Sequence, residues 1–302
     1  MSIKTFLLGV VILGLAGIGT VTAVTQEPEE NVRGAFLTTR PKPSDRSSKG
    51  SEPRPSRRRP KPQVAKTTAP PNTGTKPVAT PSPMKETPTK VAPQKLGIGL
   101  TLLARDSLGL TVRIDPTKTF EKGDRVRVLL ETNSEGHLYI FNTTNDGKPV
   151  MIYPNKELDD GGNYLEPHVP FEIPSSTASE ERLRWLVFDE FAGNERLYFV
   201  FSREPLRGIP IEDELVAYCN DEKNRCPLEP SDEVWKQVLK ELDEPLRMDT
   251  AKRFGKAQTE PEREAIERGL GLSTQEPEPL LIMMSSSAKA GTLVTVLNLV
   301  HK

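Results

Sequence analysis

The chain has 302 residues, 28 of them proline and only 6% aromatic, a composition that excludes packed core along its whole length. Its 41 basic and 42 acidic side chains leave a formal net charge of −1. That near-neutral total conceals opposed regions: residues 38–95 hold 14 basic against three acidic residues (+11), and residues 96–302 hold 25 against 36 (−11).

Residues 1–23 read as an export signal. Lys4 precedes an apolar run from Phe6 to Ile18, and Val21-Thr22-Ala23 offers small residues at the alternate positions that a signal peptidase accepts. The run is short for a membrane span, which asks for about 20 apolar residues, so a cleaved signal peptide is expected, with an uncleaved anchor as the alternative. No lipobox cysteine follows it. Either way the remainder is expected outside the cytoplasm, in the periplasm or at the cell surface, with membrane contact only through an uncleaved N-terminal segment.

Residues 24–95 are expected to form a disordered, basic Pro/Lys/Thr-rich linker. At its start, Val32-Arg33-Gly34-Ala35-Phe36-Leu37 is a small apolar patch that either docks or has no role. From Thr38 to Lys95, 13 of 58 residues are proline, and such a tract buries too little apolar surface to offset its ordering entropy. Extended at roughly 3.1 Å per residue, it reaches more than about 100 Å. Its charge suits an anionic partner such as cell-wall polymer or lipid headgroups, and the alternative is plain solubility or loose contact with its own acidic domain. Nucleic acid is not expected, because the tract has no interleaved aromatics for base stacking.

Folded structure is expected from Leu96. Gly97–Leu103 and Leu110–Ile114 read as a strand pair around Asp106–Gly109. Residues 123–155 give the densest signal, read as a three-strand meander. Val126, Val128 and Leu130 share one strand face, expected buried, and Arg125, Arg127 and Glu131 share the other, expected wet. Ser134-Glu135-Gly136 supplies a turn, His137–Phe141 resumes a strand, Asp146-Gly147 suits a type I′ hairpin, and Pro149–Tyr153 follows. Asp159-Asp160-Gly161-Gly162-Asn163 is a turn-rich loop without the residue order of an EF-hand. Phe171–Pro174, Leu183–Phe188 and Arg196–Ser202 are further strands, and Leu197–Phe201, apolar on both faces, belongs in mid-sheet.

Residues 207–277 read as a helical insertion. Ser231 caps a helix through Leu242 with an apolar stripe of Val234, Trp235, Val238, Leu239 and Leu242, and Thr259-Glu260-Pro261-Glu262 is a capping box for a second helix ended by Gly269. Cys219 and Cys226 are expected to close a small disulfide loop in an oxidising compartment. A metal site is the alternative, against which stand the six-residue spacing and the lack of a nearby histidine. Pro279–Ser285 and Gly291–His301 close the chain as strands, and the second is apolar enough to require a place in the earlier sheet. The expected architecture is therefore an antiparallel immunoglobulin-like β-sandwich built from residues 96–206 and 278–302, with residues 207–277 inserted before the last strands.

Chemistry-bearing motifs do not emerge. His137, His168 and His301 have no cysteine or serine at motif spacing, and G-x-S-x-G, H-E-x-x-H and phosphate-binding glycine loops are absent. Ser285-Ser286-Ser287 reads as a turn, and Asp189-Glu190 as the solvated end of a strand. No metal or other cofactor is expected.

Residues of about 117–206 resemble the bacterial domain-of-unknown-function family numbered 4384. The resemblance rests on Phe120 with Gly123-Asp124, Gly136-His137-Leu138-Tyr139-Ile140, Asp146-Gly147, Tyr153-Pro154-Asn155, Ile173-Pro174, Gly193–Leu197 and Ser202–Pro205. His137 departs from the family's usual tyrosine. The resemblance implies an envelope-associated accessory β-domain with no established activity. The functional expectation is a noncatalytic binding or scaffold module that engages an envelope protein or an anionic cell-wall polymer. The alternatives are an envelope hydrolase with a site assembled from distant residues, or a membrane-anchored, transducer-like protein.

Overall fold

Alternating apolar side chains build two antiparallel sheets that face each other across one apolar layer. A computed structural model describes residues 31–43, 57–58, 94–157 and 161–302. The expected signal segment, most of the expected linker and the Asp159-Asp160 carboxylates lie outside the described residues.

Sheet A contains β1 (Gly97–Arg105), β2 (Thr111–Arg113), β3 (Arg125–Thr132), β7 (Phe171–Ile173), β8 (Leu186–Val187), β10 (Leu246–Thr250) and β11 (Leu281–Ser285). Its order is β10-β11-β1-β3-β7, with β2 also on β1 and β8 also on β3. Sheet B contains β4 (Gly136–Thr144), β5 (Val150–Tyr153), β6 (Tyr164–Leu165), β9 (Gly193–Ser202) and β12 (Thr292–His301), in the order β12-β9-β4-β5 with β6 on β4. Between them Val126, Val128 and Leu130 of β3 meet Leu138 and Ile140 of β4, Phe199 and Phe201 of β9, and Leu293 and Leu297 of β12. As its two apolar faces require, β9 lies between β12 and β4.

The expected meander is corrected. β3 and β4 belong to opposite sheets, and only β4 and β5 form a hairpin. Both strands point their alternate apolar residues into the same layer, so the chain between them turns a corner rather than folding back in plane. Gly136 permits that corner, because a Cβ there would lie 2.6 Å from the Ser202 carbonyl oxygen and 2.7 Å from the Phe201 ring. β11 and β12 likewise part into different sheets. The hairpin turn centres on Asn145 and Asp146 (φ 49° and 61°), one residue before the expected Asp-Gly centre. Asn145 fixes it there by exchanging hydrogen bonds with Asn194 at the start of β9, 3.0 Å from N to O and 2.9 Å from Asn194 N to Oδ1.

Helices cover the outer face of each sheet. Outside sheet B, Tyr139, Phe141, Tyr198, Val200 and Val294 pack against α2 (Glu212–Asn220) and α3 (Asp232–Leu242), where Trp235 stands edge-on to Phe141 and Tyr198. Ser231 caps α3, and the Thr259/Glu262 capping box opens α4 (Glu260–Arg268), whose Ile266 packs on Leu103 and Leu129 outside sheet A. Residues 207–277 are thus not wholly helical: β10 lies within them and pairs with β11.

Residues 31–43, the early part of the expected linker, form α1 (Val32–Leu37) and an extension that lie on sheet A. Phe36 is fully buried with Ile282 and Met284. Gly97 and Gly99 make room for it on β1, since a Cβ on Gly97 would sit 2.8 Å from the Phe36 ring.

Candidate functional site

The outer face of β3 holds the first candidate. Arg127 and Glu131, expected in water, are 4% and 2% exposed. Each is covered and paired by residues remote in sequence. Arg127 lies over the Trp185 ring, 4.1 Å from its centroid, and 3.6 Å from Glu172.

Glu131 is the centre of a buried hub. Arg40 grips both carboxylate oxygens, Nε to Oε1 at 2.8 Å and Nη2 to Oε2 at 2.7 Å. The same guanidinium donates to the carbonyls of Ser273, Glu276 and Pro277. His168 Nδ1 donates to Glu131 Oε1 at 2.6 Å, and its Nε2 meets Thr39 Oγ1 at 2.7 Å. Burial pushes the Glu131 carboxyl upward, but the hydrogen bonds from His168 and Arg40 and the adjacent guanidinium charge outweigh it and hold the group below its ordinary range. His168 itself adopts φ 58°, costly for a side chain with a Cβ. Backbone bonds hold it there: His168 N donates to Thr132 O, and Leu272 N donates to His168 O, each at 2.7 Å.

The order hydroxyl, imidazole, carboxylate in Thr39, His168 and Glu131 is that of a hydrolytic relay. Two features direct it to structure instead. The Thr39 hydroxyl donates to the Phe36 carbonyl at 2.6 Å, and Arg40 neutralises the carboxylate that would support the imidazole as a base. What the hub does is join residues 31–43, the loop around His168 and the loop at 270–277 to β3. Further basic residues of the N-terminal region follow the same course, with Arg33 paired to Asp249 and Glu278 and Arg58 to Asp213. Part of the basic tract therefore neutralises the acidic domain that follows it.

The second candidate is the open side of the sandwich, where edge strand β5 faces β7 and β8. Two clefts meet there, sharing Ile152 and Leu186 as walls. One, of about 320 Å³, runs past Trp185, Leu183 and Ile173. The other, of about 200 Å³, reaches the end of sheet B and is bordered by Asn142, Glu195 and His301. Val187, 55% exposed, lines the second cleft, and Phe191, 72% exposed, follows two residues after its Asp189. A third, more polar cleft of about 420 Å³ lies beside the disulfide joining Cys219 and Cys226.

The histidines come to rest in three separate places, all buried. His168 belongs to the hub, and His137 bonds to Asn163 Oδ1 at 2.9 Å under sheet B. His301 closes the 200 Å³ cleft. The Ser285 and Ser286 hydroxyls serve the backbone, donating to Ser287 O and Pro245 O. Asp189 caps its own loop by accepting from Phe191 N, and Glu190 pairs with Lys122 at 3.0 Å. Sequence reasoning missed Arg40, Glu131 and Glu195 as buried or cleft-lining groups. The one local signal for the first two was Gly97-Ile98-Gly99, glycines in a strand that mark the approach of another segment. Among the described residues, no cluster of three or more histidine, cysteine, aspartate or glutamate side chains is arranged to hold a metal ion, and no helix is long and apolar enough to cross a membrane.

Residues 119–205 match the model of a protein family described as Domain of unknown function (DUF4384). The matched segment runs from Thr119 to just past β9, so it includes the hub's Glu131 and His168 and most of the open side, but neither α1 nor His301. No curated protein and no solved structure matches the chain.

Proposed function

We propose that the chain is an exported, noncatalytic cell-envelope protein whose immunoglobulin-like β-sandwich acts as a binding or scaffold module on a basic Pro-rich tether. The export reading is supported by the apolar run and small-residue site of residues 6–23, and a disulfide between Cys219 and Cys226 suits an oxidising compartment. The immunoglobulin-like description is supported by two antiparallel sheets whose successive strands cross from one sheet to the other.

The observation that carries the binding reading is the open side between β5 and β7/β8. Two adjoining clefts with apolar walls end at exposed Val187, and exposed Phe191 follows two residues after cleft-lining Asp189, an arrangement that offers a concave, largely apolar surface without a relay opening into it. The partner we favour is an envelope protein, with anionic cell-wall polymer engaged by the tether where its basic residues are not already paired to the domain.

Affinity capture from envelope extracts tests this with the full chain and with Phe191→Asp, a change at an exposed position that leaves the core intact. A protein retained by the wild type and lost with Phe191→Asp is expected. Identical recoveries with both refute the open side as the binding surface. An N-terminus at Val24 in the exported protein establishes cleavage, and retention of residues 1–23 in membranes favours the anchored alternative.

A further inference from the structure

The 200 Å³ cleft has an acceptor-rich end. Glu195 Oε2 accepts from Asn142 Nδ2 at 2.8 Å and from Thr144 Oγ1 at 2.9 Å. Its Oε1 faces His301 Nε2 at 3.7 Å, beyond hydrogen-bonding distance. Because Asn142 commits its amide donor to Glu195, its acceptor end points away, and Oδ1 has no partner among the described residues. His301 is 5% exposed, borders the cleft, and has no hydrogen-bond partner at either ring nitrogen among the described residues. Buried polar groups left unmatched carry a desolvation penalty, so a matching group gains more here than on an open surface.

Charge and shape narrow the ligand. Of the residues that border the cleft, Glu195 and Asp189 are the carboxylates, and His301 is the remaining titratable group. Among the described residues, Arg196 is paired with Asp146, Lys122 with Glu190, and Lys118 with Asp124. Ile152, Leu186, Leu197 and Leu299 make the walls apolar. Phe188 stacks on Phe120 with centroids 4.6 Å apart and lies 5.0 Å from His301, which fixes the imidazole against a rigid aromatic floor.

Resting on the binding-module reading, the geometry points to this cleft as a site for a small organic ammonium group carried on an apolar stem, of the size of a lysine side chain. An ammonium offers three N–H donors and no acceptor. Glu195 Oε1, with the unpartnered His301 imidazole 3.7 Å away, offers the acceptor for such a group, and the stem lies along the leucines and Ile152. A carboxylate or phosphate would meet Glu195 and Asp189 as like charges.

The test is titration of the full chain with n-pentylamine hydrochloride, with 1-pentanol as the neutral isostere, followed by NMR of the His301 ring protons. We expect saturable shifts of the His301 resonance with the amine and at least tenfold weaker binding of the alcohol. Glu195→Gln, which keeps acceptor oxygen for Asn142 and Thr144, should weaken the amine at least tenfold, and Val187→Trp should block it by filling the mouth from an exposed position. Equal binding of the alcohol, unchanged affinity in Glu195→Gln with a native melting curve, or shifts confined to residues outside the cleft overturn the proposal. Nα-acetyl-lysine methylamide separates two sources of the group: binding as tight as that of pentylamine assigns a lysine side chain of a peptide, and binding of pentylamine alone assigns a free amine. Partner capture is read with Phe191→Asp and amine binding with Glu195→Gln, so either reading can fail while the other stands.

Discussion

Replacing Arg40 by alanine removes the one side chain that both neutralises Glu131 and satisfies three carbonyls of the loop at 273–277. The side chains of Arg40 and Glu131 are 1% and 3% exposed, and Arg40 makes five hydrogen bonds, two to the carboxylate and three to the Ser273, Glu276 and Pro277 carbonyls. Without it a buried carboxylate keeps only His168. Losing one partner of such a pair costs about 3–5 kcal/mol. For a domain of this size that lowers the melting temperature by roughly 6–20 °C. The assay is urea denaturation of wild type and Arg40→Ala, where a shifted midpoint with unchanged slope reports stability. Arg40→Met combined with Glu131→Leu removes both charges and is expected to recover much of the loss. Arg182→Ala, from a pair with Glu180 whose side chains are 74% and 55% exposed, is the surface control, expected within about 0.5 kcal/mol of wild type. If Arg40→Ala also stays within about 1 kcal/mol, well under the 3–5 kcal/mol expected of a buried pair, residues 31–43 do not hold the domain in the way described.

Acid should undo the same hub. The Glu131 carboxyl is held below its ordinary value of about 4.3, so the unfolded chain takes up its proton first. Its contribution is therefore complete above that value and is lost as pH falls through the lower folded value, and Glu131→Gln should flatten this part of the stability profile between pH 5 and the acid limit. Gly97→Ala should loosen α1, because the added methyl falls 2.8 Å from the Phe36 ring; a loss of about 1–3 kcal/mol and faster tryptic cleavage at Arg33 are expected, and unchanged protection of Arg33 would show that Phe36 does not pack on β1. Reduction of the Cys219–Cys226 bond, or the Cys219→Ser/Cys226→Ser pair, should lower stability by about 2–3 kcal/mol on chain-entropy grounds. Hydrogen exchange should place that loss in α2 and the loop that follows it, and an unchanged exchange profile would remove the disulfide from the account of stability.

Much of the local structure is legible without coordinates. Alternation at Val126, Val128 and Leu130 places β3, two apolar faces at Leu197–Phe201 place β9 inside its sheet, and Ser231 and Thr259/Glu262 mark two helix starts, because each signal is written within a few residues. What tertiary structure decided is which polar residues remain in water. Arg127 and Glu131 carry the alternation of a wet face, yet both are buried, since the groups that cover and neutralise them come from Arg40, 91 positions upstream, and from Glu172 and Trp185 downstream. The crossing from β3 to β4 is of the same kind: the turn residues permit either a flat hairpin or a corner, and the sheet that Phe201 and Ser202 build against Gly136 selects the corner. His301 shows it at the candidate site, where a histidine near the end of the sequence becomes a buried wall of a cleft only because β12 pairs with β9 along its full length. Backbone preference and side-chain period are local quantities, whereas the cost of burying a charge is set by partners that only the folded chain brings within reach.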